Sequence, residues 1–354
     1  MIKRNQGSFL RKALVGFGFV LLTHFSAAQT YYVDPNAGHD SNSGTKGAAL
    51  KTLKAALNHC NQITGTGNIT IVLSPGMYVL DDKMVINPVR MFSDSTRFTI
   101  KALHNPDDAE WTPEHMPVVQ SVSANNSKTQ FDHATGFLVA SPHVTFEGLK
   151  FLGNPNPNVR YYYPISKENP DLEDLEVTQC IFIGDKEAAQ IQGGVWAHGP
   201  KNKVSHCVFL ECRNAVLFFN NVEHFTITHT IIQKSYESAF WFGAKDVTFT
   251  FHSNVLSYNE NVMVFPKGLA LTSPFSNSCF YENRGEVGYW SREDGRVIQV
   301  YDAKVKLENI KRNVSVRLIE NKDVSPSPNH LTLANPITEL GFAAGIFKST
   351  REQE

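Results

Sequence analysis

Glu211, Arg213, Lys234, Tyr236, Glu237, Glu260, Glu282 and Arg284 share one feature. Each falls four to seven positions after a small residue: Cys207, Thr230, Asn254 or Ser278. If those small residues stack in a column, with successive rungs about 4.8 Å apart, the ionisable groups come within reach of one another. Two chemistries fit such a set. β-Elimination beside a carboxylate needs a base for the carbon-bound proton and a cation to hold the developing charge. Arg213 and Lys234 could supply both, with Tyr236 as proton donor. Hydrolysis of a glycosidic bond needs two carboxylates several ångströms apart, and Glu237 with Glu260 are the candidates. Solvated turn charges would produce the same pattern.

Histidines form a second set. His206 and His229 each directly precede a small residue, so they occupy equivalent positions and should stack. Such a pair could bind substrate or a metal, or act as a general base. No carboxylate completes a recognisable metal set around them, and hydrogen-bonded turn histidines are the more ordinary outcome.

What must position these residues is a repeat. Val177-Thr-Gln-Cys180-Ile-Phe182 aligns with Val204-Ser-His-Cys207-Val-Phe209 and with Ile227-Thr-His-Thr230-Ile-Ile232. Phe251-His-Ser-Asn254-Val-Leu256 and Phe275-Ser-Asn-Ser278-Cys-Phe280 continue it. The small residues are 27, 23, 24 and 24 positions apart. A period of that length with short apolar runs signals a solenoid, in which no repeat can bury its own face. The runs are rich in Val, Ile, Phe and Thr, which favours strands. A second run follows at Ala188–Gln192, Ala215–Phe219, Ala239–Phe242 and Val262–Phe265. Stacked coils of three short strands make an all-β fold, the parallel β-helix. Side chains alternate along a strand. With Val216, Phe218, Phe240, Phe242, Met263 and Phe265 inward, Gln190, Gln192, Leu217, Phe219, Trp241 and Val264 face out. Phe219 and Trp241 would form an exposed aromatic strip of the kind that stacks on sugar rings.

The 354-residue chain has 33 basic and 34 acidic residues, so nothing in its charge points to nucleic acid or a membrane surface. Lys3, Arg4, Arg11 and Lys12 precede the apolar run Ala13 to Leu22 and then Ser26-Ala27-Ala28, the pattern of a signal peptide. Cleavage is expected after Ala28, giving a secreted or periplasmic protein. The apolar run is too short to span a bilayer as a helix. Five cysteines without a regular framework are read as free and buried, Cys180 and Cys207 within the small-residue column.

The mature start reads Tyr31-Tyr-Val-Asp-Pro-Asn-Ala-Gly-His-Asp-Ser-Asn-Ser-Gly-Thr45, then Leu50-Lys-Thr-Leu-Lys-Ala-Ala-Leu57 with apolar residues at helical spacing. Together with Ile69-Thr-Ile-Val-Leu-Ser-Pro-Gly-Met-Tyr-Val-Leu80, this resembles the N-terminal signature of secreted pectin-lyase-like right-handed parallel β-helix proteins. That group includes polysaccharide lyases, glycosidases and uronan epimerases. The resemblance covers the cap and, through the repeat, the chain to about residue 290. It implies a helix capping the first coil and a polysaccharide partner bound along the outer face of the second run. The expected activity is that of a lyase on a uronate-containing glycan, with a glycoside hydrolase or a non-catalytic carbohydrate-binding protein as alternatives. The outer face lacks the clustered aspartates of calcium-dependent pectate lyases. Calcium would have to come from a loop such as Glu168-Asn-Pro-Asp-Leu-Glu173-Asp174; otherwise no cofactor is implied.

Strands are also expected at Ile69–Leu73, Met84–Ile86, Phe98–Ala102, Val118–Val119, Phe137–Val139 and Val144–Phe151. Two long polar insertions, His104 to Met116 and Gly153 to Asp174, interrupt them. Beyond Arg292 the period fades, with further strands expected at Val297–Tyr301, Val305–Leu307 and Val314–Ile319, and Glu339–Phe347 closing the lower end. The expectation is a monomeric single domain: a cap at 29–66, coils over 67–290 and a closing segment at 291–354.

Overall fold

A computed structural model of the chain describes residues 28–243, 247–266, 271–291, 296–299, 305–319, 331–334 and 337–348. The expected targeting segment up to residue 27, and Val300–Tyr301, lie outside them. Three parallel sheets of ten, eight and nine strands follow one another around each coil. The coil containing Cys207 runs from Lys203–Ser205 in the first sheet to Val208–Leu210 in the second and Asn214–Phe218 in the third. Every neighbour within these sheets is one coil away in sequence, apart from the antiparallel Arg296–Gln299 on Gly285–Ser291. Parallel crossovers of this kind are right-handed, and the chain is a right-handed parallel β-helix.

The corners explain the repeat. Between the first and second sheets one residue per coil takes a left-handed conformation: Gly148, Gln179, His206, His229, Ser253, Asn277 and Asn309. The next residue turns inward; it is Leu149 in the coil of Gly148 and small in the five coils that follow. Cys180, Cys207, Thr230, Asn254 and Ser278 are all fully buried there. The Thr230 N–H donates to Asn254 Oδ1 at 2.9 Å, and the Asn254 N–H donates to Ser278 Oγ at 3.0 Å. The column therefore satisfies backbone groups that the corner removes from the sheet ladder. A second left-handed corner, at Glu211, Lys234, Tyr258 and Glu282, leads into the third sheet. Ser235, Asn259 and Asn283 ladder inside it in the same way.

The left-handed corner also corrects one expected strand. Val144–Phe151 is two strands, Val144–Glu147 and Lys150–Leu152, because Gly148 at φ +73° turns the chain between them. Inside, residues in register stack: the Phe182 ring lies 4.8 Å from Phe151 and 4.5 Å from Phe209. Such pairs contribute about 0.5–1.5 kcal/mol each beyond area burial.

The N-terminal helix spans Leu53–Asn61, capped by the Thr52 hydroxyl accepting from the Ala55 N–H. It buries Leu53, Ala56, Leu57 and Cys60 over the first coil. Asp40 organises the turn-rich loop before it. Burial alone would raise its carboxyl pKa, but hydrogen bonds from Thr52 and Lys51 hold it below the usual range.

At the other end, Val316, Leu318, Leu331, Leu333, Leu340 and Ile346 close over the outer face of the second sheet, against Ile181, Val208, Ile231 and Val255. Val314–Ile319 is part of this strap and, among the described residues, pairs through an antiparallel bridge from Leu318 to Leu333. All five cysteines are buried and free.

Candidate active cleft and aromatic strip

Arg213, Glu237, Glu260 and Arg284 stand in four successive coils where the second corner opens into the third sheet. The side chains pair as two units. Arg213 Nε lies 2.9 Å from Glu237 Oε2, and its Nη2 donates to Oε1 at 3.1 Å. Arg284 Nη1 meets Glu260 Oε1 at 2.6 Å. The column thus reads cation, carboxylate, carboxylate, cation. Arg213 Nη1 also donates to Gln192 Oε1, and Asn214 Nδ2 donates to Glu237 Oε2 at 2.7 Å. Glu237 is therefore gripped by three N–H donors.

A local irregularity aims this column. From the first-column residue to the start of the third-sheet strand there are seven positions in three coils (207 to 214, 254 to 261, 278 to 285). In the coil of Thr230 there are eight (230 to 238). The N–H groups of Glu237 and Ser238 both donate to the Arg213 carbonyl, so two residues oppose one. This is a β-bulge, a device that re-aims side chains. The doubled residues are Glu237 and Ser238; Tyr236, just before them, keeps its ladder bond to the Cys212 carbonyl. Its hydroxyl is buried and makes no hydrogen bond. Burial raises its pKa well above the ordinary phenol value, reinforced by Cys212 and opposed by Arg213, so it stays protonated.

These residues, with Lys186, Glu187, Gln190 and Asn261, line an open cleft of about 630 Å³. The Lys186 ammonium sits over the Tyr236 ring at 5.8 Å. Gln190 donates to the Lys186 carbonyl and belongs to a loop, not to the third sheet. The expected strand Ala188–Gln192 is displaced to Val195–Ala197. That coil carries the 27-residue spacing, and its surplus residues form a turn from Asp185 to Ala189 before the strand begins.

Lys234 is separated from this group. It occupies the left-handed corner position, so its side chain leaves toward the second sheet. There it pairs with Glu211 at 3.4 Å and lines a different cleft with Tyr258, Val316 and Leu318. Arg213 and Lys234 do not form one site. His206 and His229 do stack, at 4.7 Å and 4°. They lie under the C-terminal strap: His206 Nδ1 is 3.1 Å from the Phe347 carbonyl oxygen, and the Gly345 N–H donates to the His229 carbonyl. Burial lowers the pKa of His229 to about 4, helped by His206 and His252.

The inward and outward assignments hold for the strands from Ala215 onward, whereas Gln190 and Gln192 lie outside the third sheet. Val216, Phe218, Phe240, Phe242, Met263 and Phe265 belong to the core, while Leu217, Phe219 and Trp241 join Tyr163 and Trp196 in a separate outer cluster. Ring contacts run continuously from Phe131 through Trp196, Phe219 and Trp241 to Trp290. A side chain at Gly243 would meet Phe219 at 2.9 Å, so the bare position lets the rings converge. The strip is only partly open. Phe131 lies across Trp196, which is buried, whereas Phe219 and Trp241 are half-exposed.

Sequence reasoning missed two contributors here. Tyr162–Lys167 is a strand of the third sheet, concealed within an apparent polar insertion by Pro164 and its flanks. Its Tyr163 has its pKa raised by burial, and Arg213 and Glu237 both act on it, so strip and cleft adjoin. The second is a buried pair, His133 Nε2 and Glu168 Oε1 at 3.4 Å, with Ser166 and Thr129 hydroxyls also donating to Glu168. The acidic run 168–174 thus does not converge as a calcium loop. Glu168 turns to His133, while Asp174 pairs with Arg97 and His143 at another corner.

No protein-family model matches the sequence, and no curated protein matches it. Among solved structures, a rhamnogalacturonan lyase is similar at 12% identity and TM-score 0.42, over 89% of this chain and 99% of that one. The GH136 lacto-N-biosidase from Eubacterium ramulus is similar at 11% identity and TM-score 0.47, over 80% of this chain and 68% of that one. Pectate lyase Pel9A is similar at 14% identity and TM-score 0.42, over 81% of this chain and 77% of that one. These are likenesses of architecture, and no residue assignment rests on them.

Proposed function

We propose that the protein is an exported polysaccharide-active enzyme that cleaves a glycan lying along the Phe219–Trp241 strip, at the Glu237–Glu260 cleft. The observation that carries this reading is the paired column beside half-exposed aromatic rings. Aromatic faces suit sugar rings. Two carboxylates from adjacent coils, about 4.8 Å apart at the backbone, suit hydrolysis of a glycosidic bond. Glu237, held by three donors, takes the role of base or nucleophile. Glu260 takes that of acid when the substrate displaces Arg284 from it. Elimination has less support. Its base and cation were to be Lys234 and Arg213; the first faces another cleft and the second is committed to Glu237.

The test is to incubate the mature protein with neutral and uronate-containing polysaccharides, following reducing ends and the ultraviolet absorbance of unsaturated uronate. Hydrolysis predicts reducing ends without unsaturated product, reduced about a hundredfold or more in Glu237→Gln. Unsaturated product would replace hydrolysis by elimination. Glycan binding without any product, unchanged in Glu237→Gln, would make the protein a binding module.

A further inference from the structure

The corner where the third sheet returns to the first carries a different constellation. His143, Glu173 and Asp174 come from adjacent coils, held in register because the His143 N–H donates to the Glu173 carbonyl and the Val144 N–H to the Asp174 carbonyl. Asp94 reaches the same place from the loop before the strand Phe98–Ala102. One ligand atom each from Asp94, His143 and Glu173 lies within 4.8 Å of the others.

The hydrogen bonds fix the ring. His143 Nδ1 is 2.7 Å from Asp174 Oδ2, and a carboxylate only accepts, so Nδ1 carries a proton. In the neutral ring Nε2 is then a bare lone pair. His143 is only 5% exposed. Among the described residues its Nε2 makes no hydrogen bond, and Glu173 Oε1 is 3.9 Å away. A lone pair and two carboxylates facing one another repel, and a cation between them would relieve that repulsion. The carboxylate that orients the histidine is the usual companion of a metal-bound imidazole.

The nearby cations are engaged at other atoms, and Lys201 attracts Asp94 as well as Glu173. Arg97 pairs with Asp174 at 2.6 Å. Lys201 pairs with Glu173, but through Oε2 at 2.7 Å, leaving Oε1 toward His143. We infer that Asp94, His143 and Glu173 form a binding site for a divalent transition-metal cation of the zinc class, completed by water. One imidazole nitrogen with two carboxylate oxygens favours zinc or cobalt over calcium or magnesium. The ion would tie the loop carrying Asp94 to the coil stack, at the end of the third sheet away from the cleavage cleft. This inference is independent of the proposed cleavage.

The mature protein, treated with chelator, is titrated with zinc chloride by calorimetry and with cobalt chloride by visible absorption, and its Tm is followed. The result expected is one site per chain, a raised Tm, and a cobalt d–d band absent from His143→Ala. Asp94 is exposed, so Asp94→Asn should fold normally while losing about tenfold or more in zinc affinity. Lys201→Ala, which leaves Glu173 unneutralised, should bind more tightly. Zinc binding that is absent, or identical in the wild type and Asp94→Asn, would overturn the site and leave His143 as an imidazolium shared by Asp174 and Glu173.

Discussion

At the scale of single residues, function depends on which way a side chain leaves its corner. Lys234 and Tyr236 are two positions apart, yet one faces the C-terminal strap and the other the cleft. The left-handed φ of 57° at Lys234 and the bulge that follows Tyr236 make that difference. Neither is written in residue type, which is why Lys234 reads as a partner of Arg213 until the backbone is known. Buried histidines give this scale a pH signature. His198 and His229 each fall from an unfolded value of 6.5 to about 4, burial being the main cause in both. Between those values the unfolded chain binds more protons, so stability falls as pH drops from 6.5 toward 4 and is complete above 6.5. Thermal melts across this range should show a rising Tm that levels off above pH 6.5, and His198→Gln should flatten the slope. An equally steep profile in His198→Gln would remove His198 from the account.

At the scale of elements, the column of small residues is both the most legible feature and the most testable. Its spacing is readable because five successive coils place a small residue, Cys, Cys, Thr, Asn and Ser, at the same inward corner. Asn254 accepts from the Thr230 N–H and donates to the carbonyls of Ile227 and His252 while fully buried. Asn254→Ala should cost on the order of 3 kcal/mol by stranding those backbone groups, and Asn254→Ser, which copies Ser278, should cost less. Chemical denaturation measures both. The bulge makes a complementary prediction. Deleting Tyr236 restores the seven-position spacing of the neighbouring coils. The variant should keep a cooperative melt within a few degrees of the parent yet lose cleavage; collapse of the fold would mean that the bulge is structural. Elements that sequence misplaces are those where a coil departs from its length. The surplus residues after Cys180 moved a strand from Ala188–Gln192 to Val195–Ala197, and Pro164 hid the strand Tyr162–Lys167.

At the scale of the whole molecule, two faces of the solenoid have different fates. The outer second sheet is as apolar as a core, and Val316, Leu318, Leu331, Leu333, Leu340 and Ile346 cover it. That strap has no period because it adds no complete coil, so its purpose is invisible in the repeat. Truncation after residue 304 should expose Ile181, Val208, Ile231 and Val255 and yield an aggregating protein, as light scattering would reveal; a soluble monomer would contradict that role. The outer third sheet instead leaves Phe219, Trp241 and Trp290 half-covered beside the charged column. The pattern of alternation was enough to place Phe219 and Trp241 outside, but not to reveal that Phe131 shields Trp196. Whether this face is where a glycan is cut is decided most directly by a crystal structure of Glu237→Gln soaked with an oligosaccharide that the parent cleaves. The account predicts sugar rings on Phe219 and Trp241, with a glycosidic oxygen between positions 237 and 260. Sugar bound to any other face, with the strip bare, would contradict it.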